Sequence, residues 1–110
     1  MSKSSEPIVV LMTAASAEEA NRIAELLMSK RLAACVQILP EMKSIYVWKG
    51  EVARDQEILL LAKTARAKFA ELDSEVRAIH SYETPEIIAL SIAEGSESYL
   101  KWLADFCEAS

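Results

Sequence analysis

Short apolar runs alternate with amphipathic segments along the chain, and the two patterns predict different elements of secondary structure. Four runs rich in aliphatic and β-branched residues predict strands, over residues 8–12, 32–39, 56–63 and 86–92. Three other segments repeat apolar residues every three or four positions, which predicts helices that start near Ser16, Thr64 and Ser96. At each start a hydroxyl can accept a hydrogen bond from the first turn.

Residues 32–63 are predicted to form one long β-hairpin with an extended tip around residues 40–55. We expect the first strand to end at Pro40, because proline cannot donate to a strand ladder. Beyond it, the alternating pattern puts Tyr46 and Trp48 on the same side of the hairpin. A Lys-Gly pair then supplies the turn, since glycine adopts a positive φ at no steric cost.

The order of these elements is β-α-β-β-α-β followed by a last helix, which defines the predicted fold class. We expect an α+β ferredoxin-like βαββαβ sandwich with an extended hairpin and an extra C-terminal helix. Residues 7–110 are predicted to form this single domain, after a disordered tail over residues 1–6. Apolar residues occupy both faces of the strand over 86–92, so a sheet with helices on one face needs a partner. The economical partner is another copy of the chain.

Composition and charge exclude two classes of partner. The 110 residues carry a formal net charge of −5 and no basic run, so the chain lacks the clustered Lys and Arg that phosphate-backbone binding requires. No apolar stretch approaches the roughly 18 residues of a membrane span, and the N-terminus has no apolar signal region. We therefore expect a cytoplasmic protein that binds neither nucleic acid nor membrane.

Residues absent from the predicted sheet exclude three common uses of this fold. The first β-α loop, residues 11–16, contains no cysteine for soft metals and no arginine or glycine for an anion cradle. The two middle strands, 8–12 and 56–63, carry no aromatic residue on which an RNA base could stack. Function must therefore be argued from the polar groups that remain.

The chain's single histidine, His80, precedes the last strand together with Tyr82, Glu83 and Glu86. Cu(II) and Zn(II) accept imidazole and carboxylate oxygen as ligands, so these residues are candidates for a metal site. A purely structural role for His80 is the alternative. His80 can end a helix, where a positively charged imidazole interacts favourably with the helix macrodipole.

The hairpin carries a second set of candidate residues. Tyr46 and Trp48 project from it, and Glu57 and Lys63 share one face of the return strand. The aromatic residues can serve packing alone, and Glu57 can pair with Lys63 across an interface. In a cleft, a lysine and carboxylates would shift one another's pKa values, as in an enzyme.

Four motifs resemble those of the CutA divalent-cation tolerance proteins: RLAACVQILP, SIYVWKGEV, EILLLAKT and HSYETPEIIALSI. The resemblance runs in order from Val9 to Trp102, which is nearly the whole chain. It implies a homotrimer whose neighbouring subunits join their strands into a shared sheet through the long hairpin. It also implies that divalent cations, copper above all, bind between subunits.

The resemblance further implies which residues line the cleft between subunits. His80 and Glu86 are the implied metal ligands, and the implied lining residues are Met12, Tyr46, Trp48, Glu57, Lys63 and Tyr82. The chain departs from some members of the family at two positions, with Met12 in place of a cysteine and Ile79 in place of a second histidine. Without that thiolate and imidazole, we expect weak metal binding.

Together these arguments predict a trimeric divalent-cation tolerance protein that binds Cu(II) or another divalent cation weakly. We expect no obligatory cofactor and no catalysis. The alternative is a signalling trimer, similar to the PII proteins, that binds a small molecule in the inter-subunit cleft. The sequence shows no glycine-rich or basic phosphate cradle, which disfavours a nucleotide as that molecule.

Overall fold

Four strands and three α-helices occur in the predicted order in the computed structural model, which describes residues 5–109, with side chains described as far as residue 106. The strands are β1 (Pro7–Ala14), β2 (Cys35–Trp48), β3 (Glu51–Ala65) and β4 (Ile87–Ser91). The α-helices are α1 (Ala17–Ser29), α2 (Phe69–Ile79) and α3 (Glu97–Ala109), and a 3-10 turn over Arg66–Lys68 precedes α2.

The strands form one antiparallel sheet in the order β2-β3-β1-β4. β1 lies between β3 and β4, so the strands that each crossover helix joins are never neighbours in the sheet. This arrangement is the split β-α-β topology of the ferredoxin-like sandwich. The predicted fold class is therefore confirmed.

One face of the sheet packs against α1 and α2 and forms the core. The even-numbered residues of β1 point to this face together with their partners on β3, as in the pair Met12–Leu60. The buried helix residues that pack against these strands are Ile23, Leu27, Leu72 and Val76. Burying a side chain of this size stabilises the fold by about 1.5–3 kcal/mol. This face therefore contains the main hydrophobic core.

The opposite face of the sheet is only partly covered. α3 lies over one end of it, where Leu103 is 1% exposed and the Lys63 ammonium lies 5.8 Å from the centre of the Tyr99 ring. Further along the face, Ile88 and Leu90 of β4 are 47% and 49% exposed. The open apolar face that the sequence predicts is therefore present in the chain.

β2 runs through Pro40 rather than ending there as predicted. The reason is its position in the sheet, because β2 is an edge strand and a missing N–H on its outer side breaks no ladder. The register also shifts by a bulge between Leu39 and Met42. The two long strands are joined at Lys49 and Gly50, whose φ values of 51° and 80° suit a two-residue hairpin turn. The predicted long hairpin is confirmed.

One of the predicted helix starts is wrong. Ser16 caps α1 as predicted, since its Oγ accepts a hydrogen bond from the backbone N–H of Glu19 at 3.2 Å. Thr64 caps no helix, because it lies inside β3 and pairs with Ile8 of β1. Its side chain is fully buried, and its hydroxyl has no hydrogen-bond partner among the described residues.

The segment before β1 is held to the end of β3. Residues 1–4, which make up most of the expected disordered tail, lie outside the described residues. The Glu6 carboxylate accepts a hydrogen bond from the Arg66 guanidinium at 3.2 Å, and the Glu6 carbonyl accepts the Arg66 backbone N–H at 2.9 Å. The packed part of the chain therefore includes Glu6, one residue ahead of the predicted start of the domain.

Candidate functional site

A groove of about 700 Å³ opens between the outer half of the β2–β3 hairpin and the loop over residues 81–86. We call it the hairpin groove. The long hairpin provides one wall because its strands continue beyond the rest of the sheet, and the loop between α2 and β4 provides the other. The lining residues that carry aromatic or charged groups are Tyr46, Trp48, Lys49, Glu57, Tyr82, Glu83 and Glu86.

The loop is fixed by Glu19, a carboxylate at the start of α1 that is 2% exposed. Its Oε2 accepts the backbone N–H of Ser81 at 2.7 Å, and its Oε1 accepts the backbone N–H of Ala15 at 2.9 Å. Burial raises the pKa of this carboxyl, but the hydrogen bonds from Ala15 and Ser81 and the nearby His80 outweigh burial and hold the pKa below its ordinary value. A charged carboxylate therefore ties the loop to the helix start.

His80 ends α2 and lies beneath the loop, with a side chain that is 0% exposed. Its Nδ1 accepts the backbone N–H of Tyr82 at 3.0 Å, which leaves the ring hydrogen on Nε2. Nε2 donates that hydrogen to the carbonyl oxygen of Thr13 at 2.7 Å. Both ring nitrogens are thus engaged within the chain, and a metal ion can bind this ring only after one of the two hydrogen bonds breaks.

Tyr82 and Glu57 form a hydrogen-bonded pair in the groove. The Tyr82 hydroxyl donates to Oε2 of Glu57 at 2.9 Å, and Glu57 is 7% exposed. Burial first, and then the hydrogen bond to Glu57 and its negative charge, raise the pKa of the Tyr82 hydroxyl well above its ordinary value. The hydroxyl therefore stays protonated at neutral pH and donates the hydrogen bond to Glu57. The second oxygen of Glu57, Oε1, accepts no hydrogen bond from the described residues.

The outer part of the hairpin adds another tyrosine–carboxylate pair and an aromatic face. The Tyr46 hydroxyl donates to Oδ2 of Asp55, and this hydrogen bond is the main reason that the pKa of Tyr46 is raised. Trp48 is 47% exposed, and the Lys49 ammonium lies 5.9 Å from the centre of its ring, within cation–π range. The groove thus combines aromatic rings with negative charge.

Five of the eight predicted site residues line the hairpin groove, namely Tyr46, Trp48, Glu57, Tyr82 and Glu86. All five lie on the hairpin or on the loop over residues 81–86, and these two segments are the walls of the groove. Glu86 is exposed to solvent at the edge of this groove.

The other three predicted residues lie elsewhere. Met12 is fully buried in the core, because it points to the face that packs against the helices. Lys63 lies at the far end of β3, where its Nζ donates to the Gln37 side chain at 2.5 Å. His80 lies beneath the loop rather than in the groove.

Two residues that shape the site are absent from the sequence prediction, Glu19 and Asp55. Asp55 stands two positions before Glu57 on β3, so the period of a strand could have placed it on the same side. Glu19 follows Ser16 by three positions, a spacing that predicts a capping box at the start of α1 but no contact with the loop over residues 81–86. Its bond to Ser81 joins residues 62 positions apart, and no local pattern predicts that contact.

Neither a metal-ligand cluster nor a membrane-spanning helix is present in the described part of the chain. Within residues 5–109, no group of three or more His, Cys, Asp or Glu side chains is arranged to hold a metal ion. None of the helices there has the length and the apolar character that crossing a bilayer requires.

Comparison with known proteins gives one family. The model of the CutA1 divalent ion tolerance proteins matches residues 8–106. The divalent-cation tolerance protein CutA of Thermus thermophilus is 54% identical over 97 residues, which is 88% of this chain and 94% of the relative. A chloroplastic CutA protein of Arabidopsis thaliana is 42% identical over 93% of this chain, but the match spans only 56% of that relative.

Solved structures agree with this comparison. The Cut A1 structure from Thermus thermophilus superposes with a TM-score of 0.85, covering 88% of this chain and 94% of that chain at 54% identity. The periplasmic divalent cation tolerance protein CutA from Archaeoglobus fulgidus gives a TM-score of 0.86 at 42% identity, covering 92% of this chain and 98% of that chain. From the family match, the identity and the shared fold, it follows that the chain belongs to the CutA1 divalent ion tolerance family.

Proposed function

We propose that the protein contributes to tolerance of divalent cations, copper above all, by binding them weakly as a homotrimer and without catalysing a reaction. The names of relatives from Thermus thermophilus and Archaeoglobus fulgidus, both called divalent-cation tolerance proteins, support this proposal. The cation is a cargo that the protein takes up and releases, rather than a resident cofactor.

The observation that carries the proposal is the acidic lining of the hairpin groove. Glu83 and Glu86 are exposed there, and Glu57 has an oxygen that accepts no hydrogen bond from the described residues. Carboxylate oxygens bind divalent cations, whereas tight Cu(II) sites add imidazole nitrogen. Because the His80 ring is engaged by Thr13 and Tyr82, carboxylates are the ligands that remain, and binding is weak.

The open face of the sheet supports the homotrimer. Ile88 and Leu90 are about half exposed in one chain, and Val47 at the tip of the hairpin is 70% exposed. Apolar strand surface of this kind is usually covered by a partner. Joining the subunits through a shared sheet would cover these residues and bring the hairpin grooves of neighbouring subunits close together.

One observation, the size of the groove, favours the alternative function of a signalling trimer that binds a small molecule. A volume of about 700 Å³ is far larger than an ion needs and suits a small organic molecule. The cytoplasmic location stays a prediction, since one relative is named as periplasmic and another as chloroplastic.

A growth experiment tests the proposed function. A host strain deleted for its own family member is grown in rising copper with an empty vector, the wild-type chain, or the groove variant Glu83→Gln/Glu86→Gln. We expect wild type to restore growth and the groove variant to restore less. The matched control Glu71→Gln/Glu94→Gln removes the same charge at exposed positions outside the groove and should behave as wild type. Equal growth with wild type and empty vector would contradict the proposal.

A further inference from the structure

We propose that Glu19 is a positioning residue of the hairpin groove, which holds the loop over residues 81–86 where Glu83 and Glu86 can meet a cation. The inference rests on the proposed function and assigns to it a residue that acts from behind the groove. Glu19 lies at the start of α1 and is 2% exposed, so it acts through the loop rather than by touching the ion.

The two oxygens of the Glu19 carboxylate join two segments of the groove lining. Oε1 accepts the backbone N–H of Ala15 at 2.9 Å, directly after β1, and Oε2 accepts that of Ser81 at 2.7 Å. Thr13 and Ser81 both line the groove. In a standard capping box this glutamate bonds the N–H of the N-cap residue, here Ser16. Glu19 instead extends its second oxygen to a loop 62 positions away.

The first end of the loop is held by side chains. After Ser81, the next backbone N–H, that of Tyr82, donates to Nδ1 of His80 at 3.0 Å. The other end of the loop is held by the pairing of β4 with β1. Glu83 lies two positions after Ser81, and Glu86 directly precedes β4. Loss of the first anchor would therefore shift Glu83 relative to Glu86.

The geometry at Glu19 requires both the length and the two acceptors of a glutamate. Glutamine has one acceptor oxygen, and its amide NH₂ would face one of the two N–H donors. Aspartate keeps the negative charge and both acceptors, but it is one methylene shorter, so at most one of the two bonds survives. The two substitutions therefore separate position from charge, because Glu19→Asp changes the reach alone.

Calorimetric titration of Cu(II) at pH 7 into the full-length chain tests the inference. Glu19→Gln and Glu19→Asp should both bind about tenfold more weakly than wild type, the low end of the effect of residues that support metal ligands. Glu18→Gln, which removes a charge from an exposed position of the same turn, should bind as wild type. Ile23→Val, which loosens the buried face of α1 without touching the loop, should do so too. This second control separates positioning from a general loss of stability.

Amide hydrogen exchange over residues 80–86 reports on the loop without any cation. We expect faster exchange there in both Glu19 variants than in wild type and in the two controls. In wild type the Ser81 amide should be protected, because its N–H is bonded to Glu19. A freely exchanging Ser81 amide would overturn the inference even if neither Glu19 variant folds.

The outcomes distinguish this inference from the proposed function. Equal Cu(II) binding by wild type and both Glu19 variants would overturn the inference and leave the proposed function in place. Weak binding by Glu19→Gln with wild-type binding by Glu19→Asp would overturn it too, since charge would then be the cause. If wild type binds no Cu(II), the proposed function fails, and hydrogen exchange decides whether Glu19 positions the loop: faster exchange in the variants supports this, and unchanged exchange refutes it.

Discussion

His80 donates its Nε2 hydrogen to the carbonyl oxygen of Thr13 over 2.7 Å, and so joins the end of α2 to β1. The same ring accepts the backbone N–H of Tyr82 on Nδ1. Since the side chain is fully buried, these two bonds position the loop that carries Tyr82 and Glu86. The ring therefore acts in this chain as a support beneath the hairpin groove.

We expect His80→Ala to lower the free energy of unfolding by about 2–3 kcal/mol, because the Thr13 carbonyl and the Tyr82 N–H both lose a partner. Denaturant unfolding at a fixed protein concentration measures this change. The control is Ser74→Ala, at an exposed position of α2. A loss no larger than that of the control would argue against the structural role.

The Glu19 carboxylate should make the free energy of unfolding decrease as the pH falls into the acid range. Its pKa in the folded chain lies below the ordinary value of 4.5, so the stabilisation is fully present above pH 4.5 and is lost as the pH falls through the folded pKa. Glu19→Gln should therefore be less stable than wild type at pH 7, and the difference should shrink in acid. Urea unfolding at several pH values measures this. Glu18→Gln, on the exposed side of the same helix turn, is the control. A difference that does not change with pH would contradict the prediction.

Thr64→Val should raise the free energy of unfolding by about 1 kcal/mol. The buried hydroxyl has no partner among the described residues, and valine has nearly the same shape without the polar group. Thermal unfolding compares this variant with Thr84→Val, which changes an exposed threonine. A lower melting temperature for Thr64→Val would show that the hydroxyl has a partner in solution.

Leu90→Lys should prevent assembly of the proposed homotrimer. The side chain is about half exposed on the open face of the sheet, and a lysine there would place a charge in the shared interface. Light scattering should give three times the 12.2 kDa chain mass for wild type and a smaller particle for the variant. Met28→Lys, at an exposed apolar position of α1, should assemble normally. A folded Leu90→Lys protein of wild-type size would exclude this face from the interface.

The fold could be predicted from the sequence because its elements are encoded locally. Period-two alternation and helical spacing, with Ser16 as a cap, define the element order without any long-range information. The prediction went wrong at Pro40 and Thr64 because it judged each residue by its own propensity. Position in the sheet decided both cases, since an edge strand tolerates proline and pairing with β1 extended β3 past Thr64.

The site could be predicted only in part. Tyr46, Trp48 and Glu57 lie on the hairpin, so strand period places them on the same face, although six residues of strand separate the position opposite Trp48 from Glu57. Lys63 shares the same face as Glu57, but six residues of extended strand separate the two by about 20 Å. The contact of Glu19 with Ser81 depends on how α1 meets the loop, and tertiary packing alone determines it.

The proposed function requires that carboxylates of the hairpin groove, rather than the His80 ring, bind divalent cations. Calorimetric titration of Cu(II) tests it most directly, with wild type, Glu83→Gln/Glu86→Gln and the charge-matched control Glu71→Gln/Glu94→Gln. We predict weak binding by wild type and the control, and loss of most of the heat in the groove variant. Undiminished binding by the groove variant, or no binding by wild type, would contradict the claim.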